Sequence, residues 1–176
     1  MGAPANVIEP LAFMFEDDGA IPNNSALPFL VYRGAVDLRG RIDPAEAVED
    51  LFRANGWSDN MWRNGIYPFA HYHSMIHEAM GVARGRARVH FGGKGEEIDL
   101  GLGDVAVLPA GTGHHRIWAS PDLVVVGGYP PSGRYNLCRG SRAEYARAIK
   151  SIPLVPAPES DPVYGARGPL LELWGR

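Results

Sequence analysis

Between residues 66 and 130 glycine punctuates the chain into seven short runs: Tyr67–His73, Glu78–Ala83, Arg86–Phe91, Glu97–Leu102, Val105–Leu108, His114–Trp118 and Leu123–Tyr129. No segment between them has the length of the crossover helix that a parallel sheet requires. The pattern therefore predicts antiparallel strands closed into a sandwich or barrel. Ile98, Leu100 and Leu102 alternate with Asp99 and Gly101, as in a strand with one buried face.

Helices are expected only at the flanks. Asp43 can cap a helix over residues 44–55, with Pro44 at its first position, Glu46 reaching back to the cap, and Gly56 as its stop. Ser141 and Glu144 form a capping box before a second helix whose apolar face holds Tyr145, Ala148 and Ile149. Beyond Lys150 the chain is rich in proline yet apolar, so it is expected to wrap over the β core with little regular structure. The whole of 1–176 reads as one domain: an N-terminal arm and helix over 1–64, a barrel core over 65–130, and a helix with a wrapping tail over 131–176.

Composition narrows the function. A net charge of −3 gives a polyanion no general field to follow, so nucleic acid is not an expected partner. The longest apolar runs, such as Leu123–Val126, are too short to span a bilayer, and the acidic N-terminal stretch does not read as a secretion signal. Cys138 is the only cysteine, which rules out an intrachain disulfide and a cysteine-built zinc site. A cytoplasmic protein acting on a small molecule is the expectation.

All six histidines (His71, His73, His77, His90, His114 and His115) fall between positions 71 and 115. In a strand, His71 and His73 point to one side and make half of a metal site, which Glu78 and His114 can complete as a mixed nitrogen and oxygen donor set. Strict alternation from His73, however, puts His77 rather than Glu78 on that face. His90 shares parity with Arg86 and Arg88 on a solvated face, and His115 faces away from His114 in a regular strand. Arg116 and Trp118 share parity with His114.

The spacing of these residues forms two motifs, Gly65-IYPFA-His71-Y-His73-SMIH-Glu78-AMGVAR-Gly85 and Gly103-DVAVL-Pro109-A-Gly111-TG-His114. They resemble the two signature motifs of the cupin superfamily. The one departure is Trp118, where cupins often carry a non-ligating Asn. The flanks Gly128-Tyr129-Pro130, Asp161-Pro162-Val163-Tyr164-Gly165 and Gly168-Pro169-Leu170 look like those of the YjlB-like bacterial cupins.

The resemblance implies a mainly β fold, a single cupin (double-stranded β-helix, or jelly-roll) antiparallel barrel with two short flanking helices. It also implies one divalent transition metal (Fe, Mn, Ni or Zn) held inside by His71, His73, Glu78 and His114, and pairing into a homodimer. For Glu78 to face inward, a bulge or similar irregularity must shift the phase between 73 and 78. His77 then becomes a supporting or surface residue. The function that follows is binding of a small organic molecule at the metal, with dioxygenase chemistry leading. Alternatives are a cupin isomerase or decarboxylase, or a binding or sensing protein without turnover. Arg116 as an anion clamp, with Trp118 and Tyr129 as cavity wall, are the expected substrate contacts.

Overall fold

The structure is a computed structural model and describes residues 7–175. Nine strands run in chain order: β1 (Leu11–Phe13), β2 (Phe29–Tyr32), β3 (Asp59–Asn64), β4 (Glu78–Arg84), β5 (Ala87–Phe91), β6 (Glu96–Leu100), β7 (Val105–Leu108), β8 (His114–Ala119) and β9 (Val124–Tyr129). They pair antiparallel in two sheets, one of six strands in the order β1-β2-β7-β4-β9-β3 and one of three in the order β6-β5-β8. This is the mainly β, cupin-type arrangement that the motifs imply, built as two facing sheets.

The two sheets differ in how much they bury. Inward residues Phe29, Val31, Met80, Val82, Ala106, Leu108 and Val125 of the larger sheet meet Ala87, Val89, Phe91, Ile98 and Leu100 of the smaller one. The far side of the larger sheet, with Leu30, Tyr32, Ala79, Ala83, Val105, Val107 and Val126, is covered by a helix and the C-terminal tail. A sheet buried on both faces needs continuous apolar runs, which is why Val105–Leu108 shows no alternation. β5 and β6 alternate because their outer face is wet.

Helix α1 (Pro44–Ala54) starts where its cap places it, with the Asp43 side chain accepting from the amides of Ala45 and Glu46. It lays Val48 and Phe52 on β4, and a Cβ at Gly81 would lie 2.5 Å from Val48 Cγ1, so only glycine allows this approach. Helix α2 (Arg142–Ser151) carries the expected capping box between Ser141 and Glu144.

The tail wraps as expected but also forms a short helix, α3 (Pro169–Leu173). Its anchor is Asp161, fully buried, whose carboxylate accepts from the amides of Val163, Tyr164 and Leu170 and from the Tyr32 hydroxyl. Among the described residues no helix is long and apolar enough to cross a membrane.

The expectation of a strand over Tyr67–His73 is corrected. Only two isolated bridges form there, His71 with His114 and Tyr72 with Cys138, each tying the chain to a different neighbour. Pro68 has no amide hydrogen to give a ladder. The segment runs as a loop, and β4 begins at Glu78.

Candidate metal centre

Three elements bring the site together. The loop before β4 supplies His71 and His73, the first residue of β4 supplies Glu78, and the first residue of β8 supplies His114. The chain bends at Ser74 and Met75, leaving strand geometry between His73 and Glu78. That bend, rather than a bulge within a strand, breaks the alternation that would otherwise have aimed His77 inward. His77 lies buried outside the cavity, not at the surface. Its Nδ1 accepts from the amide of Ala110, and its ring packs on Trp174. It thereby braces the Pro109–Gly113 turn that delivers His114.

His71, His73 and His114 are all buried, and one ring nitrogen of each lies within 4.8 Å of those of the other two. Each ring is oriented through Nδ1 by a backbone carbonyl: Phe69 at 3.0 Å for His71, Asn136 for His73, and Thr112 at 3.1 Å for His114. With Nδ1–H donating to a carbonyl, the neutral imidazole keeps its lone pair on Nε2. Glu78 Oε2 lies 3.4 Å from His73 Nε2 and 3.5 Å from His114 Nε2. It is buried and has no hydrogen-bond partner.

An oxygen left bare against two ring nitrogens is costly unless something positive sits between them. Three imidazoles and a carboxylate are a donor set suited to a divalent transition metal. The residues present therefore fit the ion that the motifs imply.

The electrostatics agree. Burial, reinforced by the nearby His71 ring, holds His114 down at about 3, and burial likewise lowers His71. Burial also pushes Glu78 up and His73 down, but their mutual attraction reverses both, leaving the carboxyl at about 2 and the imidazole above its usual value. The donors are thus arranged in the forms that bind a cation: a carboxylate and at least two unprotonated rings.

Above the donors lies a cavity of about 370 Å³, lined by Ile66, Met80, the aromatic side chains Trp62, Tyr67, Tyr129 and Tyr135, and Asn60 and Asn64 from β3. The Tyr129 hydroxyl donates to Glu78 Oε1 at 2.9 Å and accepts from Trp62 Nε1 at 3.1 Å. Gly127 makes this chain possible, since a Cβ there would collide with the Trp62 indole.

Of the expected substrate contacts, only Tyr129 lines the cavity. β8 carries an extra residue against β5, where Arg88 opposes Trp118 and Val89 opposes Arg116. That irregularity turns Trp118 outward, where it is half exposed and sits against Arg86. Arg116 keeps the parity of His114, and its guanidinium lies beside Gly65, a lining residue, without itself lining the cavity. His90 and His115 pair on the outer face of the smaller sheet, with ring centroids 5.3 Å apart. Asn60, Trp62, Tyr67, Tyr135 and the His73-orienting Asn136 went unremarked in the sequence. For β3, the clue was the Asn60, Trp62 and Asn64 alternation just before Gly65.

A cupin-type fold holding a buried cluster of three histidines beside a carboxylate is the class that this geometry defines. The chain is 39% identical to a Bacillus subtilis (strain 168) protein described as "Uncharacterized protein YjlB", over 167 residues that cover 94% of this chain and 97% of the relative. The chain belongs to the YjlB family. No protein-family model matches it. Among solved structures, an 11S globulin from Wrightia tinctoria, titled as revealing an auxin binding site, aligns with a TM-score of 0.34 at 20% identity. That alignment covers 48% of this chain and 24% of the globulin, so the chain spans about a quarter of that protein's length.

Proposed function

We propose that the protein holds one divalent transition metal through His71, His73, Glu78 and His114 and binds a small organic molecule against it, with dioxygenase-type chemistry as the leading activity. The observation carrying this reading is the orphaned Glu78 Oε2 facing two imidazole nitrogens whose rings are already oriented by backbone carbonyls. When bound, the metal supplies a Lewis-acid centre that polarises oxygen donors of a ligand.

The chain's own residues do the rest. Tyr129 fixes one carboxylate oxygen of Glu78, and Trp62 in turn holds the tyrosine oxygen. Tyr135 packs on both His73 and Tyr129 and lines the cavity. The aromatic walls exclude water and orient a flat molecule. Among the described lining residues Tyr129 is the hydroxyl closest to the donors, and burial holds its proton well above the ordinary range. It therefore serves as a hydrogen-bond donor and not as a base.

Cytoplasmic residence and pairing into a homodimer belong to the same reading. The test is metal analysis of protein produced in metal-supplemented medium, followed by oxygen uptake with a panel of small oxygen chelators. About one equivalent of a redox-active metal, lost in His71→Ala and His114→Ala, supports the reading. A bound metal with no turnover of any chelator would favour the non-catalytic binding alternative. Absence of metal would remove both.

A further inference from the structure

We propose that the cavity takes a flat, unphosphorylated oxygen chelator carrying at most one negative charge, of the catechol or enolised-dicarbonyl type, and turns away phosphorylated and multiply carboxylated molecules. This rests on the metal reading above. Three neutral imidazoles and one carboxylate leave a divalent ion with a single uncompensated positive charge. One anionic oxygen donor balances it, and a neighbouring neutral oxygen can complete a chelate.

The walls offer nothing to a second charge. No lysine or arginine is found among the described residues that line the cavity, and its polar groups away from the donors are amides and phenols. A phosphate or second carboxylate entering it would be stripped of water without a cation to replace the loss, which burial penalises heavily. Neither of the nearby arginines is a lining residue: Arg116 lies beside Gly65, which does line the cavity, and Arg139 lies over the Phe69 ring.

Shape points the same way. Trp62, Tyr67, Tyr129 and Tyr135 give the cavity aromatic sides, and Tyr67 is held by stacking on Phe69, with centroids 4.7 Å apart and planes 15° apart. The volume of about 370 Å³ lies at the low end of small-molecule sites. Planar ligands gain most from such walls, through offset or edge-on ring contacts. Asn60 and Asn64, which line the cavity and are exposed, suit a neutral hydroxyl or carbonyl on the ligand's far side.

The experiment uses the full chain loaded with one equivalent of nickel(II), with metal content measured before any ligand is added. 4-Nitrocatechol is titrated in, with its visible band as readout, in competition with citrate and glucose 6-phosphate, and retained nickel is checked after each titration. The expected result is 1:1 binding of 4-nitrocatechol at least tenfold tighter than either competitor. It should weaken about fivefold in Tyr67→Leu, the scale of one lost aromatic contact, and change less than twofold in Arg116→Gln.

Equal or tighter binding of citrate or glucose 6-phosphate to nickel-loaded protein would overturn the inference while leaving the metal reading intact. So would loss of 4-nitrocatechol binding in Arg116→Gln, or no binding of 4-nitrocatechol at all. Failure to take up nickel in the first step would instead bring down the metal reading, and this inference with it.

Discussion

Replacing Tyr129 with phenylalanine removes one hydroxyl from the cavity wall and leaves the ring in place. That hydroxyl makes two hydrogen bonds, donating to Glu78 at 2.9 Å and accepting from Trp62 at 3.1 Å. Glu78 already has one bare oxygen, so the variant leaves a fully buried carboxylate with no hydroxyl or amide donor. A hydrogen bond to a charged group contributes about 1.5–3 kcal/mol. For a chain of this size each kcal/mol corresponds to roughly 2–4 °C in Tm. The metal-free Tyr129→Phe protein should therefore melt about 3–12 °C below the parent in a calorimetric scan. With Glu78 freed to rotate, its Oε2 no longer faces the imidazoles by default, and metal affinity should fall about tenfold or more. Isothermal titration with nickel(II) or manganese(II) measures that. A Tm within 1 °C of the parent, or unchanged metal affinity, would refute the idea that this tyrosine holds the carboxylate in place.

Gly127→Ala should reproduce much of the Tyr129→Phe phenotype, because the new methyl displaces the Trp62 indole; an unaltered Tm would show that the indole moves freely. Asp161→Ala strands three amides and the Tyr32 hydroxyl in the tail clamp, and should cost about 4 kcal/mol in urea unfolding. Cys138 is buried and its thiol is raised by that burial, so the folded protein should react with a thiol reagent far more slowly than the urea-unfolded chain. Trp118→Ala, on the outer face against Arg86, should leave both metal content and 4-nitrocatechol affinity unchanged within twofold.

The strands after residue 78 and both flanking helices were legible because apolar runs, glycines and caps act locally. Glu96–Leu100 shows its alternation directly, and Asp43 and Ser141 cap the helices they were expected to cap. What escaped depends on partners distant in sequence. β3 reads DNMWRN, and the residues it alternates toward the cavity, Asn60, Trp62 and Asn64, are mostly polar, so the alternation does not stand out as an apolar strand face. His71 and Tyr72 lie in a stretch that looks like a strand but bridges to His114 on one side and Cys138 on the other.

Glu78 could be chosen over His77 only through the motif spacing, since strict period-two reasoning pointed to His77. The bend at Ser74 and Met75 settles the phase, and no local residue pattern announces it. The same limit applies to Trp118. One extra residue in β8 reverses its direction, and a bulge of that kind is set by how the strand fits its neighbour.

The central claim is that four side chains from three separate elements share one metal ion. The most direct measurement is an anomalous-scattering map from crystals grown with manganese(II) or cobalt(II). The expected result is a single strong peak within coordination distance, roughly 2.0–2.3 Å, of His71, His73, Glu78 and His114, lost in crystals of His114→Ala. A peak elsewhere, or none at the four donors under saturating metal, would contradict it.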